Sequence, residues 1–178
     1  MRMHLAARLV LAAGFVLLAT SAARAVCDAK RPSTTPSSRY VLRGDEVYDT
    51  QTGLTWQRCS LGQTWKEGSG CIGAIKRLTW SDAVAQAPTG WRLPTKDEFV
   101  TLVSPTCRSP AVNDEVFPNM DPENLWYWTG TPSNKSSFAW HIILDDGFAD
   151  GRGIRKDPHG VLLVRADNGA TAPAAPGN

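Results

Sequence analysis

The sequence holds little of what enzymes and metalloproteins usually carry. Only three histidines occur in 178 residues, and His4 lies in the N-terminal apolar segment. There is no Gly-x-Ser-x-Gly motif, and neither His141 nor His159 stands in a nucleophile setting, so no catalytic residue is expected. His141 alternates with apolar neighbours and reads as packed or hydrogen-bonded. The adjacent carboxylates Asp145 and Asp146 precede Gly147 and are explained by turn chemistry. The four cysteines make no Cys-x-x-Cys pair and no zinc-type spacing, so neither a redox motif nor a metal site nor a cofactor follows from them. Internal repeats and coiled-coil heptads are absent. Charge of one sign is missing too: the formal net charge is only +2. That excludes the broad basic field a nucleic-acid binder would need and leaves local patches as the only means of holding an anion.

A long apolar run is found in one place, at the N-terminus. Arg2 and Arg8 precede the apolar stretch Leu9 to Ala19, and Ala23-Arg24-Ala25 is a small-x-small cleavage pattern. Residues 1–25 are therefore expected to be a secretory signal, and the stretch is too short for a good transmembrane span. Cleavage there leaves 153 residues, the size of one domain, with sixteen basic against seventeen acidic residues. The mature chain is expected to be exported, periplasmic or secreted to the cell surface, with no membrane span.

All four cysteines lie beyond the signal, and an even count in an exported chain predicts two disulfides. Cys59 and Cys71 flank a Gly- and Ser-rich loop and are expected to pair, which leaves Cys27 for Cys107. Residues 26–39 are polar and carry Pro32 and Pro36, as a tether does. Residues 167–178 have too little apolar content to pack and are expected to be a disordered tail.

Between these ends the order is strands, helices, strands. Tyr40 to Leu42 and Val47 to Tyr48 flank a turn-type sequence, and Leu54 to Gln57 follow Gly53 as another strand. Thr79-x-x-Asp82 and Thr95-x-x-Glu98 are capping-box patterns. The first predicts a helix with Trp80, Val84 and Ala87 on its inner face, the second a helix burying Phe99, Leu102 and Val103. Pro94 pushes Leu93 into an extended conformation, so Gly90-Trp91-Arg92-Leu93-Pro94 leads into that helix as a strand-like entry. Residues 104–125 read as loop. Strands return at Trp126 to Thr129, Phe138 to Leu144 and Val161 to Arg165. This order predicts an α+β domain over residues 40–166 with its ends close together.

Several motifs then occur together in one order. Thr52-Gly53-Leu54-Thr55-Trp56-Gln57-Arg58-Cys59, Gly90-Trp91-Arg92-Leu93-Pro94, Trp126-Tyr127-Trp128-Thr129, Ala139-Trp140 and Val161-Leu162-Leu163-Val164-Arg165 resemble the Lcl C-terminal domain, long listed as a domain of unknown function. The resemblance spans about residues 40 to 166. It implies a C-type-lectin-like fold, two helices flanking a twisted antiparallel sheet, and an exported setting. In the collagen-like bacterial adhesin that names the family, the domain is associated with binding of sulfated polysaccharide. This chain lacks a Gly-x-y collagen repeat, so the trimeric, multivalent form of adhesion is not implied.

Two groups of residues are candidates for such a site. Arg152, Arg155 and Lys156, with His159 nearby, offer the charge-assisted hydrogen bonds that hold sulfate or carboxylate groups; alternatively they are a solvated loop balanced by Asp150 and Asp157. Among the aromatics, Trp65 lies between Cys59 and Cys71 and is the ring expected to be open to a sugar face. Trp126, Tyr127 and Trp128 are weaker candidates, and Trp56, Trp91 and Trp140 are expected in the core. The oxygen-rich set Asn113, Asp114, Glu115, Asp121, Glu123 and Asn124 raises calcium, but neither an EF-hand nor a lectin-type Glu-Pro-Asn triplet is present, so no metal is assigned. The expectation is thus a non-enzymatic, exported binding domain for an anionic or sulfated polysaccharide. The alternative is an accessory module contacting a cell-envelope protein in a surface or pilus-type structure.

Overall fold

The computed structural model describes residues 24–120 and 126–167. Most of the expected signal, the expected tail beyond Asp167, and Asp121, Glu123 and Asn124 lie outside the described residues.

Eleven strands and two short helices are present among the described residues, an α+β arrangement dominated by sheet. β1 (Val26–Cys27) pairs with β7 (Cys107–Arg108) at the edge of the domain. β2 (Tyr40–Arg43) and β3 (Glu46–Asp49) form the expected hairpin, with Gly44 supplying the positive φ of its turn. β4 (Leu54–Gln57) extends that hairpin, β5 (Thr64–Lys66) and β6 (Gly70–Ile72) form a small one, and helix α1 covers Trp80–Ala85. Helix α2 (Lys96–Val100) follows the Trp91 run. β8 (Trp126–Pro132), β9 (Phe138–Ile143) and β10 (Phe148–Ile154) form one antiparallel sheet in the order β10-β9-β8. β11 (Val164–Ala166) closes the other, in the order β11-β4-β3-β2. Arg43 reaches Asp167 at 3.5 Å, so the two ends of the expected domain do lie together.

The last strand is shorter than the Val161 to Arg165 segment expected. Its ladder partner β4 ends at Gln57, after which the chain turns. Residues 161–163 are held instead by single bonds, Gln57 N–H to Leu163 O and Leu61 N–H to Val161 O. The segment nevertheless organises the interior. Leu162 and Val164 face one core with Trp56, Phe99, Tyr127 and Ile142, while Val161 and Leu163 face a second with Leu78, Leu93, Trp128 and Ala139. Alternation along an apolar run buried on both sides feeds both cores.

Helix α1 also departs from expectation. It buries Ala83 and leaves Val84 47% exposed, because the Trp80 indole donates to Thr129 O at 2.9 Å and rolls the helix onto its Trp80–Ala83–Ala87 side. Helix α2 is capped as expected: the Thr95 hydroxyl accepts from Glu98 N–H, and Glu98 Oε2 accepts from Thr95 N–H at 2.7 Å. Arg92 adds what the capping pattern does not show, a two-pronged grip on Glu98 with both distances 2.7 Å. The Trp91 run is thus held both by this grip and by backbone bonds to distant segments, Arg92 exchanging two with Val164 and Pro94 O accepting one from Gly130.

Both disulfides have the expected pairing, Cys27 with Cys107 and Cys59 with Cys71. Residues 26–39, expected as a tether, lie along the domain. Asp28 N–H donates to Thr106 O, Thr34 N–H to Ser104 Oγ, and Asn113 Nδ2 to Thr35 O. The polar composition of this stretch reflects hydrogen bonding to loop 103–115.

A candidate binding groove around Trp140

The basic residues named from the sequence do not converge. Arg152 is carried by β10 with its side chain 81% exposed, and its guanidinium meets Asp150 at 3.0 Å. Arg155 donates through Nε to Phe138 O and lies 4.1 Å over the Trp80 ring, so it packs the sheet to α1. Lys156 is exposed on the turn that follows, and His159 is buried.

Trp65 stands apart from all of them. Its ring carries the Arg58 guanidinium at 3.8 Å, in a groove of about 550 Å³ whose walls include Glu67, Asp114 and Glu115. Arg58 is itself buried and donates to Val116 O, Gly44 O and Glu115 O, so its hydrogen bonds go to the fold. The groove's three carboxylates outnumber the Arg24 and Arg58 guanidiniums, so it offers an anionic ligand no excess of positive charge. Of the calcium candidates among the described residues, Asn113 Oδ1 accepts from Glu115 and Val116 N–H, and Glu115 Oε2 accepts from Ser37. Among the described residues no group of three or more His, Cys, Asp or Glu side chains is placed to hold a metal ion.

Of the three tryptophans expected in the core, Trp56 is wholly enclosed, but Trp91 and Trp140 are only half-buried. Arg165 covers Trp91 at 4.9 Å. Trp140 is the more consequential case, since both of its neighbouring strands are irregular beside it. On β10, His141 pairs with Asp150 and Ala139 with Gly153, so Trp140 faces the two residues Gly151 and Arg152. On β8, Trp128 pairs with His141 and Pro132 with Ala139, so the chain between them bulges as well. Such bulges bend a strand and re-aim its side chains. Gly151 completes the arrangement, because a Cβ there would lie 2.9 Å from the indole.

The result is an open groove of about 620 Å³ lined by Ser133, Asn134, Lys135, Phe138, Trp140 and Arg152, with Gly151 at its base. The Lys96 ammonium lies 5.4 Å from the Trp140 ring centre. The groove therefore combines a half-open indole, a second aromatic, amide and hydroxyl groups, and two cationic side chains, with the Lys96 ammonium, ion-paired to Asp97, beside the indole. Of the ligand-binding residues named from the sequence it contains Arg152 alone. The alternation of Phe138, Trp140 and Ile142 was visible, but nothing in it tells which ring two bulges would uncover.

On the opposite side of β9 from Trp140 lies a box of four rings. Trp126 stacks on His141 with centroids 5.4 Å apart and planes at 14°, and His159 lies 4.2 Å from Trp128 and 5.2 Å from His141. Both imidazoles are buried, and among the described residues His141 Nδ1 and both His159 ring nitrogens have no hydrogen-bond partner. Burial, reinforced by the nearby His159, pushes the His141 imidazole down to about 4 against a weaker pull from Asp150. Burial lowers His159 as well.

A family model described as the Lcl C-terminal domain matches residues 45–165. Comparison with curated proteins and with solved structures gave no match.

Proposed function

The chain belongs to the Lcl C-terminal domain family, and on that premise we propose that it is a non-enzymatic binding domain for an anionic polysaccharide, held at the Trp140 groove. The two disulfides belong to an oxidising, exported setting, and among the described residues no helix is long and apolar enough to cross a membrane. Within that setting we place the domain at the cell surface or in the periplasm, on a C-type-lectin-like scaffold.

The observation that carries the reading is the pair of bulges around Trp140. They bend both neighbouring strands beside a large, half-open aromatic, and they put Arg152 on the same rim. An indole face suits the apolar face of a sugar ring, while Lys96, Lys135 and Arg152 meet sulfate or carboxylate groups. Arg152 keeps Asp150 and Lys96 keeps Asp97 as partners in the free protein, so binding exchanges one set of exposed ion pairs for another. An exposed pair is worth at most about 1 kcal/mol, which makes the exchange easy.

Retention on a sulfated polysaccharide column tests this. The protein is expected to elute at a defined salt concentration, since exposed charges are screened by added salt. Trp140→Ala and Lys135→Ala/Arg152→Ala are each expected to weaken affinity about tenfold, equivalent to about 1.4 kcal/mol. Trp65→Ala should elute with the wild type. Unchanged retention of both groove variants would remove the groove from the reading.

One observation favours protein contact instead. β10 is an edge strand whose Phe148 and Ile154 are 56% and 48% exposed. An accessory module of a surface or pilus-type structure would use that edge, and its binding would be insensitive to the Trp140 substitutions.

A further inference from the structure

The four-ring box has no role in the groove, yet it holds both histidines of the described chain where neither is solvated. We propose that His141 and His159 form an acid-operated latch: when both imidazoles take up protons, the box opens and Trp126 leaves the ring it stacks on.

The geometry leaves a charged pair nowhere to go. The two ring centres are 5.2 Å apart, so two positive charges would repel inside an aromatic enclosure. No side chain can be added against His141, because a Cβ on Gly153 would lie 2.2 Å from its Nδ1. His159 is enclosed by Trp128 at 4.2 Å and by the edge of Trp126 at 5.4 Å. Its backbone is the seam of this part of the fold: His159 and Leu78 exchange both N–H···O bonds, and the next residue, Gly160, accepts from Trp128 and donates to Trp126. Strain at His159 is therefore transmitted directly to β8.

The charged groups facing the pair come from three elements. Asp150 on β10 lies opposite His141, where its carboxylate is already bonded to Arg152. Asp157 on the preceding turn favours a charged His159, and Arg77, next to Leu78, disfavours it. Burial outweighs these carboxylates at both rings. The sign follows from proton binding: with folded values below the ordinary histidine value of 6.5, the open form binds more protons. The closed box is thus fully favoured above about pH 6.5 and loses ground as the pH falls toward 4. The buried carboxylate of Asp49 is held below its ordinary value of 3.8, so its loss belongs to a lower range.

Trp126 is the reporter, since it is the box ring already 44% exposed. The experiment follows near-ultraviolet circular dichroism and tryptophan fluorescence of the full chain from pH 7.5 to 4.2, with proton NMR of the histidine rings in parallel. The expected result is a reversible change with its midpoint between about pH 4.7 and 6, steeper than one proton, in step with both ring resonances. His141→Gln/His159→Gln should lack the change; should that variant fold poorly, the ring titration of the wild-type chain decides alone. Overturning results are two rings titrating independently near 6.5, tryptophan signals flat to pH 4.2, or the same transition in a folded double variant.

Discussion

Replacing Asp49 with alanine is expected to lower stability by about 3–5 kcal/mol, the range for breaking one partner out of a buried ion pair. Asp49 ends β3 with no solvent exposure, and its carboxylate accepts from Arg39 at 2.7 and 2.5 Å, from Gln51 N–H at 3.0 Å and from Thr52 Oγ1 at 2.7 Å. Burial alone would push this carboxyl up, but the Arg39 guanidinium with the Thr52 and Gln51 hydrogen bonds outweighs it and holds the group below the ordinary carboxylate range. The pair joins two elements, because Arg39 Nη1 also donates to Thr101 O at the end of α2. Alanine leaves that guanidinium buried beside one carbonyl. Against a total of about 5–15 kcal/mol for a domain, the loss is large. Urea denaturation at neutral pH measures it, and a change below 1 kcal/mol would show that Arg39 finds water or another acceptor. The pH dependence has a definite sign: the stabilisation is present above the ordinary aspartate value and is lost as the pH falls through the lower folded one.

The second large effect is expected from the Cys27–Cys107 disulfide. The two cysteines are 80 residues apart, against 12 for Cys59 and Cys71. Restricting the unfolded chain scales with the logarithm of loop length, which gives about 4.5 kcal/mol for the long bridge and about 3 for the short one. Cys27→Ser/Cys107→Ser is therefore expected to cost more than Cys59→Ser/Cys71→Ser, and to lower the melting temperature by about 10–15 °C. The long bridge also holds β1 against β7 and, with it, the bonds that residues 28–35 make to loop 103–115. Calorimetry of the two double variants checks the order. Equal losses, or a larger one from the short loop, would mean that native contacts around Cys59 and Cys71 dominate.

Local signals in the sequence were legible wherever a few neighbouring residues decide the conformation. The β2–β3 hairpin, the Thr95–Glu98 capping box and the pairing of Cys59 with Cys71 are of this kind. What was not legible depends on register between distant segments. Trp140 reads as a core residue in a two-sided apolar strand, yet it is half-open, with β8 and β10 both slipping in register beside it. His159 reads as part of a basic loop, and it is buried because its backbone pairs with Leu78 across 81 residues of chain. Trp65 has the local composition of an exposed loop ring, yet its face is taken by Arg58, which is anchored by carbonyls of two other loops.

These displacements move the candidate site without changing its chemistry. Aromatic and cationic groups remain the ingredients, but the indole is Trp140, and its cationic neighbours are Lys96, Lys135 and Arg152, with Arg155 and Lys156 outside the groove. Arg155 serves the fold through Trp80, and its replacement would affect α1 before it affected a ligand.

Amide and indole chemical shifts of the isotope-labelled protein, followed while a sulfated oligosaccharide is added at low and then at high salt, test the groove most directly. Binding at the groove predicts the largest changes at the Trp140 indole, Gly151, Arg152 and Lys135, shrinking as salt rises and screens the exposed cations. Changes centred on Trp65 and Glu67, changes along the Phe148–Ile154 edge, or no changes at low salt would contradict it.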